Sequence, residues 1–365
     1  MPFRVDADDI SMTQAKGQVF GLGFTLLDAV ALADVWGSGT RIRLDSAAEC
    51  ELVAAFGAGL PAAMVDAAIA RAAPHYILSC GNEILLPDLA GLAVVIDRLA
   101  RASGAGFLAL CLANPAWGRT VYQGHVFQDG KRLTDSLHDF RPEISGRVAV
   151  VPHEVVAQGE AALRRRLAAL KEQGFALALV DAVSAPDFCA VRAAFAGQIL
   201  AAGPAWLAEP AAADDFAAPA GRVAILAHAQ DRQSLYQIGA ARDKMPFLQF
   251  LGDVPGAVAW ALAQSDDFMI EAAPGQEGAK ILADIAAGLA ASGQEQKFVL
   301  VGAALADAVL SGLGIAALTA GGIAQGLRWF SAKTHNFLIK PEGWGPKNLL
   351  VDGFGPQIRL NAAAE

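Results

Sequence analysis

The sequence predicts an α/β protein of two domains, each a mostly parallel sheet flanked by helices, with a cleft between them. Three observations lead there. Short apolar runs of strand length alternate with alanine-rich stretches of helical period, in β-then-α order, as doubly wound sheets require. The chain has 365 residues, long for one core and comfortable for two. Hydrophobic residues make up 54% and charged residues 18%, ample apolar surface for burial and a poor match to disorder.

Taken in order, the N-terminal half offers strands at Gln18–Gly23, Thr40–Leu44, His75–Ser79, Phe107–Leu112, Val148–Pro152 and Ala176–Val180. Between them the helical stretches are Leu26–Val35, Ala47–Phe56, Pro61–Ala73, Leu89–Ser103 and Glu160–Gln173. Asp187 reads as an N-terminal cap region for a helix over Phe188–Leu200. Residues Ala208–Gly221, an alanine, proline and acid stretch without strand or helical period, read as a linker. A second alternating series follows, with strands Arg222–Ala227, Phe268–Ala272 and Lys297–Val301. Its helices are Asp231–Arg242, Val254–Gln264, Gly275–Ser292 and Ala304–Leu313. The expected division is residues 1–207, a linker over 208–221, and residues 222–365.

The net charge of −9 argues against a nucleic-acid partner, because neutralising phosphates needs a basic face. The one dense basic run, Arg164-Arg165-Arg166, lies in a helical stretch and reads as a solvated face. The first twenty residues carry Asp6, Asp8 and Asp9 and lack a charged-then-apolar leader, so a cytoplasmic location is expected. The apolar stretch 303–323 is broken by Asp307 and glycines, which suits a packed core better than lipid; no membrane partner is expected. Cys50, Cys80, Cys111 and Cys189 show no metal-ligand spacing and read as buried thiols, with no metal ligands assigned.

The richest segment is Gly118-Arg119-Thr120-Val121-Tyr122-Gln123-Gly124-His125-Val126-Phe127, followed by an Asp129-Gly130 turn and Leu133-Thr134-Asp135-Ser136. It packs an arginine, a tyrosine and a histidine between two glycines, directly after a buried-looking strand. That is the composition of a loop gripping a small anion at the carboxyl end of a sheet. Arg119 offers a planar fork matched to a carboxylate, and Tyr122 and His125 can hydrogen-bond hydroxyls of the same ligand. The remaining histidines, His75, His138, His153, His228 and His335, read as ordinary core or surface residues. Near the C-terminus, Lys340 ends a strand and is followed by Gly343 and Gly345, a pattern in which backbone amides approach phosphates while the ammonium supplies charge. Thr319-Ala320-Gly321-Gly322-Ile323-Ala324-Gln325-Gly326 lacks the lysine of a phosphate loop and reads as a loop or close-packing glycines.

The Gly118–Phe127 segment resembles the G-R-T-x-Y-x-G-H-L-F segment of the four-carbon acid sugar kinases, whose members act on 3-oxo-tetronate, threonate or erythronate. The similarity runs from about Val19 to Gly345. Lys340, Trp344 and Gly345 fall on matching positions of the family's K-S-G-N-F-G segment. The family's A-D-D-F-T-G-A motif keeps Phe24 and Thr25, while Leu22 and Gly23 stand where its two carboxylates would be. Its F-D-S-T motif falls on Ser79-Cys80-Gly81-Asn82-Glu83, and its G-G-E-T motif on Gly302-Ala303-Ala304-Leu305, which keeps one glycine and no acid. The serine-bearing turn after the first strand of the second domain reads Ala227-His228-Ala229-Gln230.

The resemblance implies ATP- and Mg2+-dependent phosphorylation of a four-carbon sugar acid. It places Arg119, Tyr122, His125 and Thr25 on the acid, and Glu83 or Asp88 as base or metal-side carboxylate. Lys340, Gly343, Gly345 and Gly302 fall on the nucleotide. Eroded motifs keep two alternatives open: a catalytically inactive small-acid or nucleotide binding protein, and a lyase or hydrolase using His125 or Glu83 as base. A homodimer is among the expected assemblies.

Overall fold

The computed structural model describes residues 19–36, 40–44, 52–54, 65–66, 70, 73–81, 88–115, 118–196, 198–205, 222–228, 232–273, 275–293, 296–324, 327–332 and 335–340. In chain order the first half comprises β1 (Val19–Gly23), α1 (Leu26–Trp36), β2 (Arg41–Arg43), β3 (Leu52–Ala54), β4 (His75–Ser79), α2 (Leu89–Ala102) and β5 (Leu108–Leu110). There follow β6 (Arg119–Tyr122), β7 (His125–Gln128), β8 (Lys131–Asp135), α3 (Ser136–Phe140), β9 (Arg147–Val151), α4 (His153–Val156), α5 (Glu160–Glu172), β10 (Phe175–Val180), α6 (Ala185–Phe195) and β11 (Leu200–Gly203). The second half has β12 (Ala224–Ala227), α7 (Arg232–Arg242), β13 (Phe247–Gln249), α8 (Val254–Leu262), β14 (Phe268–Glu271), α9 (Gln276–Ala290), β15 (Gln296–Val301) and α10 (Ala303–Gly312). It ends with β16 (Ala317–Ala324), β17 (Leu327–Ala332) and β18 (His335–Lys340).

The architecture is α/β, with a mostly parallel sheet flanked by helices, as the alternating pattern predicts. The strands of both halves join one 15-stranded sheet in the order β13-β14-β12-β15-β18-β17-β16-β2-β3-β1-β4-β11-β5-β10-β9. Its seam is the antiparallel pairing of β16 with β2. Going outward from β15, β18 is parallel, and three antiparallel steps then lead through β17 and β16 to β2. The parallel strands of the two halves therefore point in opposite directions within the sheet.

Strand residues of the second half divide between two faces with the period of two that a sheet imposes. Leu226, Ile270, Phe298, Leu300, Phe337 and Ile339 pack on one side. Ile225, Met269, Val299, Val301 and Leu338 pack on the other, so both faces are covered. Near-continuous apolar runs such as Phe298–Val301 follow from that double burial. The core of the first half gathers Phe20, Leu22, Leu78, Leu92, Leu110, Leu163 and Leu179. Residues of α1, among them Leu27, Leu32 and Val35, instead pack with Leu282, Leu305 and Phe337 of the second half. Arg328 ties this helix to β17 through a 3.1 Å ion pair with Asp34.

Several local expectations differ from what is observed. Leu52–Ala54 is a strand rather than part of a helix, because the β1 and β2 backbones accept it as a parallel neighbour. Residues 317–324 form strand β16 rather than a loop, with a register shift between Ala320 and Ile323 that the two intervening glycines accommodate. The Gly118–Asp135 segment is a separate three-stranded antiparallel sheet, β6-β7-β8. Arg119 is therefore a strand residue and not a loop residue. Ser184, not Asp187, caps α6: its hydroxyl accepts the Asp187 amide, and α6 ends at Phe195, short of Leu200, where β11 begins. Cys80 and Cys111 are buried as expected, whereas Cys189 is exposed. The predicted helix 61–73 falls largely outside the described residues, as do Cys50 and the expected linker 208–221.

Candidate functional site

The hairpin β6–β7 lies across the carboxyl ends of β5 and β10. Arg119 exchanges backbone hydrogen bonds with Asn114, and Val121 with Ala182. The pleat then sorts the side chains. Arg119 and Val121 face inward, only 1% and 3% exposed, while Tyr122 pairs across the hairpin with His125 on the opposite face and is 40% exposed. The Arg119 guanidinium donates to the Gly81 carbonyl at 2.6 Å, reaching the turn that leaves β4. Thus Arg119 organises a buried turn, and Tyr122 and His125 stand on the other side of the strand from it.

A two-residue turn closes the hairpin, with Gln123 at φ 51° and Gly124 at φ 72°, the left-handed pair that two-residue hairpins favour. The freed amides of both residues donate to the Asp181 carboxylate, at 2.6 and 3.0 Å, and the His153 amide donates a third bond at 3.2 Å. Asp181 is fully buried at the end of β10. Desolvation pushes its carboxyl above the ordinary range, and the three amides and His153 oppose that shift.

Beside this clamp, the His153 ring offers Nε2 to Asp187 Oδ2 at 3.2 Å. The same oxygen accepts the Ser184 hydroxyl at 2.7 Å and the Val183 amide at 3.1 Å. Burial raises the Asp187 carboxyl, but the Ser184 hydroxyl, the Val183 amide and His153 together outweigh it, so the group titrates below the ordinary carboxylate range. The Tyr122 and His153 ring centroids are 6.4 Å apart. His153, expected as an ordinary core or surface residue, bonds here through both its amide and its ring. Asp181 carried no sequence signal beyond an acid just after a strand, and Asp187 none beyond its place at a helix start.

At the end of β1, Thr25 and Asp28 form a capping box for α1. The Asp28 amide donates to the Thr25 hydroxyl at 3.2 Å, while the Thr25 amide and hydroxyl donate back to Asp28 at 3.1 and 3.0 Å. Asp28 is 1% exposed and was missed by sequence reading, although the Thr-x-x-Asp spacing announces it. Burial pushes the Cys80 thiol up, Asp28 raises it further and Arg119 pulls it back, so all three groups share one neighbourhood beyond β1 and β4. Cys111 is pushed up to about 12 by burial, leaving it protonated at neutral pH. Asp88 is exposed at the N-terminus of α2 without a side-chain capping bond. Glu83 lies outside the described residues.

In the second half, Val301 pairs with Lys340 across β15 and β18. Gly302 follows at φ 115° and opens α10 with no side-chain cap. Two positions far apart in sequence, Gly302 and Lys340, therefore meet at the carboxyl ends of neighbouring strands. Gly275 opens α9 in the same way at φ 124°. His228, at the end of β12 and 2% exposed, places Nε2 2.7 Å from the Gly275 carbonyl and 3.0 Å from its amide. Gly343 and Gly345 lie outside the described residues. Among the described residues no three His, Cys, Asp or Glu side chains gather as metal ligands, and no helix is long and apolar enough to cross a membrane.

The fold is that of an α/β protein with polar clusters at the carboxyl ends of its parallel strands, where ligands bind in open sheets of this class. Residues 91–214 match the family model of a sugar-binding N-terminal domain. The chain is 27% identical over 289 residues to the 3-oxo-tetronate kinase of Burkholderia multivorans, covering 64% of this chain and 67% of that protein. It is 33% identical over 129 residues to the enzyme of the same name from Pseudomonas fluorescens, covering 31% and 30%. A crystal structure from Salmonella typhimurium LT2, described as a candidate tRNA synthase, superposes with a TM-score of 0.73 at 18% identity over 91% of this chain and 97% of that one. A Haemophilus influenzae protein gives 0.66 at 17% identity over 90% and 98%. The chain is thus similar to the four-carbon acid sugar kinase family, through its sugar-binding N-terminal domain and its 3-oxo-tetronate kinase relatives.

Proposed function

We propose that the protein phosphorylates a short, four-carbon sugar acid with ATP, binding the acid on the half before residues 208–221 and the nucleotide on the half after it. The observation that carries this reading is the backbone pairing of Val301 with Lys340, which brings the end of β18 level with the residue before the glycine that opens α10. Free amides at a helix start, with a cation alongside, form a phosphate cradle. These residues fit a triphosphate. Gly302 and the first amides of α10 would hold it together with Lys340, and ATP with Mg2+, when bound, supplies the transferable phosphoryl group and its charge neutralisation. The names of the kinase relatives support the same chemistry.

The sheet supports a shared face for the two ligands. Seven strand-to-strand steps separate β15 from β4. At the usual twist of ~20–25° per step the rotation accumulates to roughly 150°, which nearly undoes the reversal at the seam. A sheet of ordinary twist thus turns both carboxyl edges toward one side, where closure can exclude water. On the first half, Tyr122 and His125 face outward to the acid, Arg119 and Thr25 hold the walls behind them, and Glu83 or Asp88 supplies the carboxylate.

The test is ADP release from ATP and Mg2+ with 3-oxo-tetronate, threonate and erythronate in turn. Acid-dependent ADP is the expected result, and none with any acid defeats the kinase reading. A non-catalytic small-acid binding protein is the second reading. It is favoured by Leu22 and Gly23 at the end of β1 and by Ala303 and Ala304 at the start of α10, positions without a carboxylate or hydroxyl. Calorimetric uptake of an acid without turnover distinguishes it.

A further inference from the structure

We propose that Tyr122 and His153 form a hydroxyl-recognition pair for the sugar-type ligand, with Asp187 as the positioning residue that fixes the imidazole. This deepens the sugar-acid reading and rests on it. Asp187 already accepts the Ser184 hydroxyl and the Val183 amide, so its contact with His153 is that of an acceptor, and the ring proton sits on Nε2. Nδ1 is left as a lone-pair acceptor, and no hydrogen bond to it is made among the described residues. The His153 side chain is 29% exposed, so Nδ1 is reachable from solvent.

Alongside it stands the Tyr122 phenol, exposed and likewise without a hydrogen bond among the described residues. The pair holds its place because one buried carboxylate binds both backbones: Asp181 takes the amide of His153 and the two amides that follow Tyr122. Asp181 thus spends its oxygens on backbone amides, and what the two rings present outward is one acceptor and one donor. A ligand hydroxyl donates to Nδ1 while the phenol donates to a neighbouring ligand oxygen. That complement is a hydroxyl flanked by a second oxygen, the repeating unit of a sugar acid, and not a bare carboxylate. Tyr122 and His153 both lie within the segment that matches a sugar-binding domain, and Thr25 does not. Arg119, buried on the far face of β6, acts through Gly81 and not as a partner in this pair.

Asparagine can place a polar atom where Nδ1 stood, and glutamine where Nε2 stood. If Nδ1 meets the ligand, His153→Asn keeps calorimetric affinity for erythronate or threonate within about threefold of wild type, whereas His153→Gln loses on the order of tenfold or more. Tyr122→Phe, a single-atom change at an exposed site, shows a comparable loss without lowering the melting temperature and serves where a His153 variant does not fold. With 2,3- and 2,4-dihydroxybutyrate, each lacking one hydroxyl of a tetronate, the His153→Gln penalty disappears for the analogue missing the recognised group. Wild-type affinity in both His153→Gln and Tyr122→Phe overturns the proposal while leaving the sugar-acid reading intact. Equal losses in the asparagine and glutamine variants assign His153 a structural role and also overturn it. If wild-type protein takes up no tetronate, the sugar-acid reading itself fails and this pair falls with it.

Discussion

The two carboxyl edges of this sheet are built from different materials. On the first half, side chains do the organising: Asp181 gathers three amides, Asp187 holds a histidine and a serine, Asp28 closes a capping box and Arg119 grips the Gly81 carbonyl. On the second half, glycines at 275 and 302 open two helices without a side-chain cap, and the His228 ring meets the Gly275 backbone. Fixed side chains suit a small ligand that must be told from its stereoisomers, because each directed group reads one substituent. Open helix ends suit phosphates, which present the same oxygens from every direction. The contrast teaches that the first edge, where β1 ends in Leu22 and Gly23 without a carboxylate, is not bare, since Asp28, Asp181 and Asp187 order it.

The sharpest way to break this comparison is to remove a side-chain organiser. Arg119→Leu leaves the Gly81 carbonyl without its buried donor and should cost roughly 3 kcal/mol in urea unfolding. A loss below a few tenths would show that the guanidinium organises nothing. At the other edge, Gly302→Val forces a β-branched residue to φ 115° and should cost ~1–3 kcal/mol. It should also weaken ADP binding in a thermal-shift titration while leaving acid uptake unchanged; equal damage to both ligands would erase the division of labour.

A third experiment separates the two buried acids by the sign of their pH dependence. Asp181 titrates above the ordinary carboxylate range, so within that window the folded chain keeps a proton the unfolded chain has released, and stability falls as pH rises. Asp187 titrates below it, so its contribution is present above the ordinary range and is lost as pH falls through its lowered value. Urea midpoints followed from about pH 3 to pH 7 should therefore show Asp181→Asn removing a decline with rising pH and Asp187→Asn removing a rise. Slopes of the same sign would contradict the assigned environments. The smallest effect is expected from Thr25→Val, which breaks the capping box of α1 and should lower stability by about 1 kcal/mol. A much larger loss would point to a role beyond the cap.

Much of the fold was legible because burial on both faces writes itself into the chain as apolar runs. Phe298–Val301 and Phe268–Ile270 announce strands whatever surrounds them. Three of the strands that escaped notice lacked that signature. Leu52–Ala54 follows a polar and acidic stretch within an alanine-bearing segment, β16 carries two glycines, and β6 alternates buried Arg119 and Val121 with more exposed residues, which reads as a loop when the buried member is an arginine. The hairpin was read as a ligand segment from its residue types. Its pleat was not, and so Arg119 was grouped with side chains that point the other way.

By itself the sequence determined the α/β class, the glycine-flanked polar hairpin and the strand that ends in Lys340, because each depends on residues close together in the chain. Only the tertiary structure decided which groups meet. His153 reaches Asp187 across 34 residues, Arg119 reaches Gly81 across 38 and His228 reaches Gly275 across 47. Such encounters follow from strand order, which places β9 beside β10 and β12 beside β14, and local periodicity carries no record of which strands become neighbours.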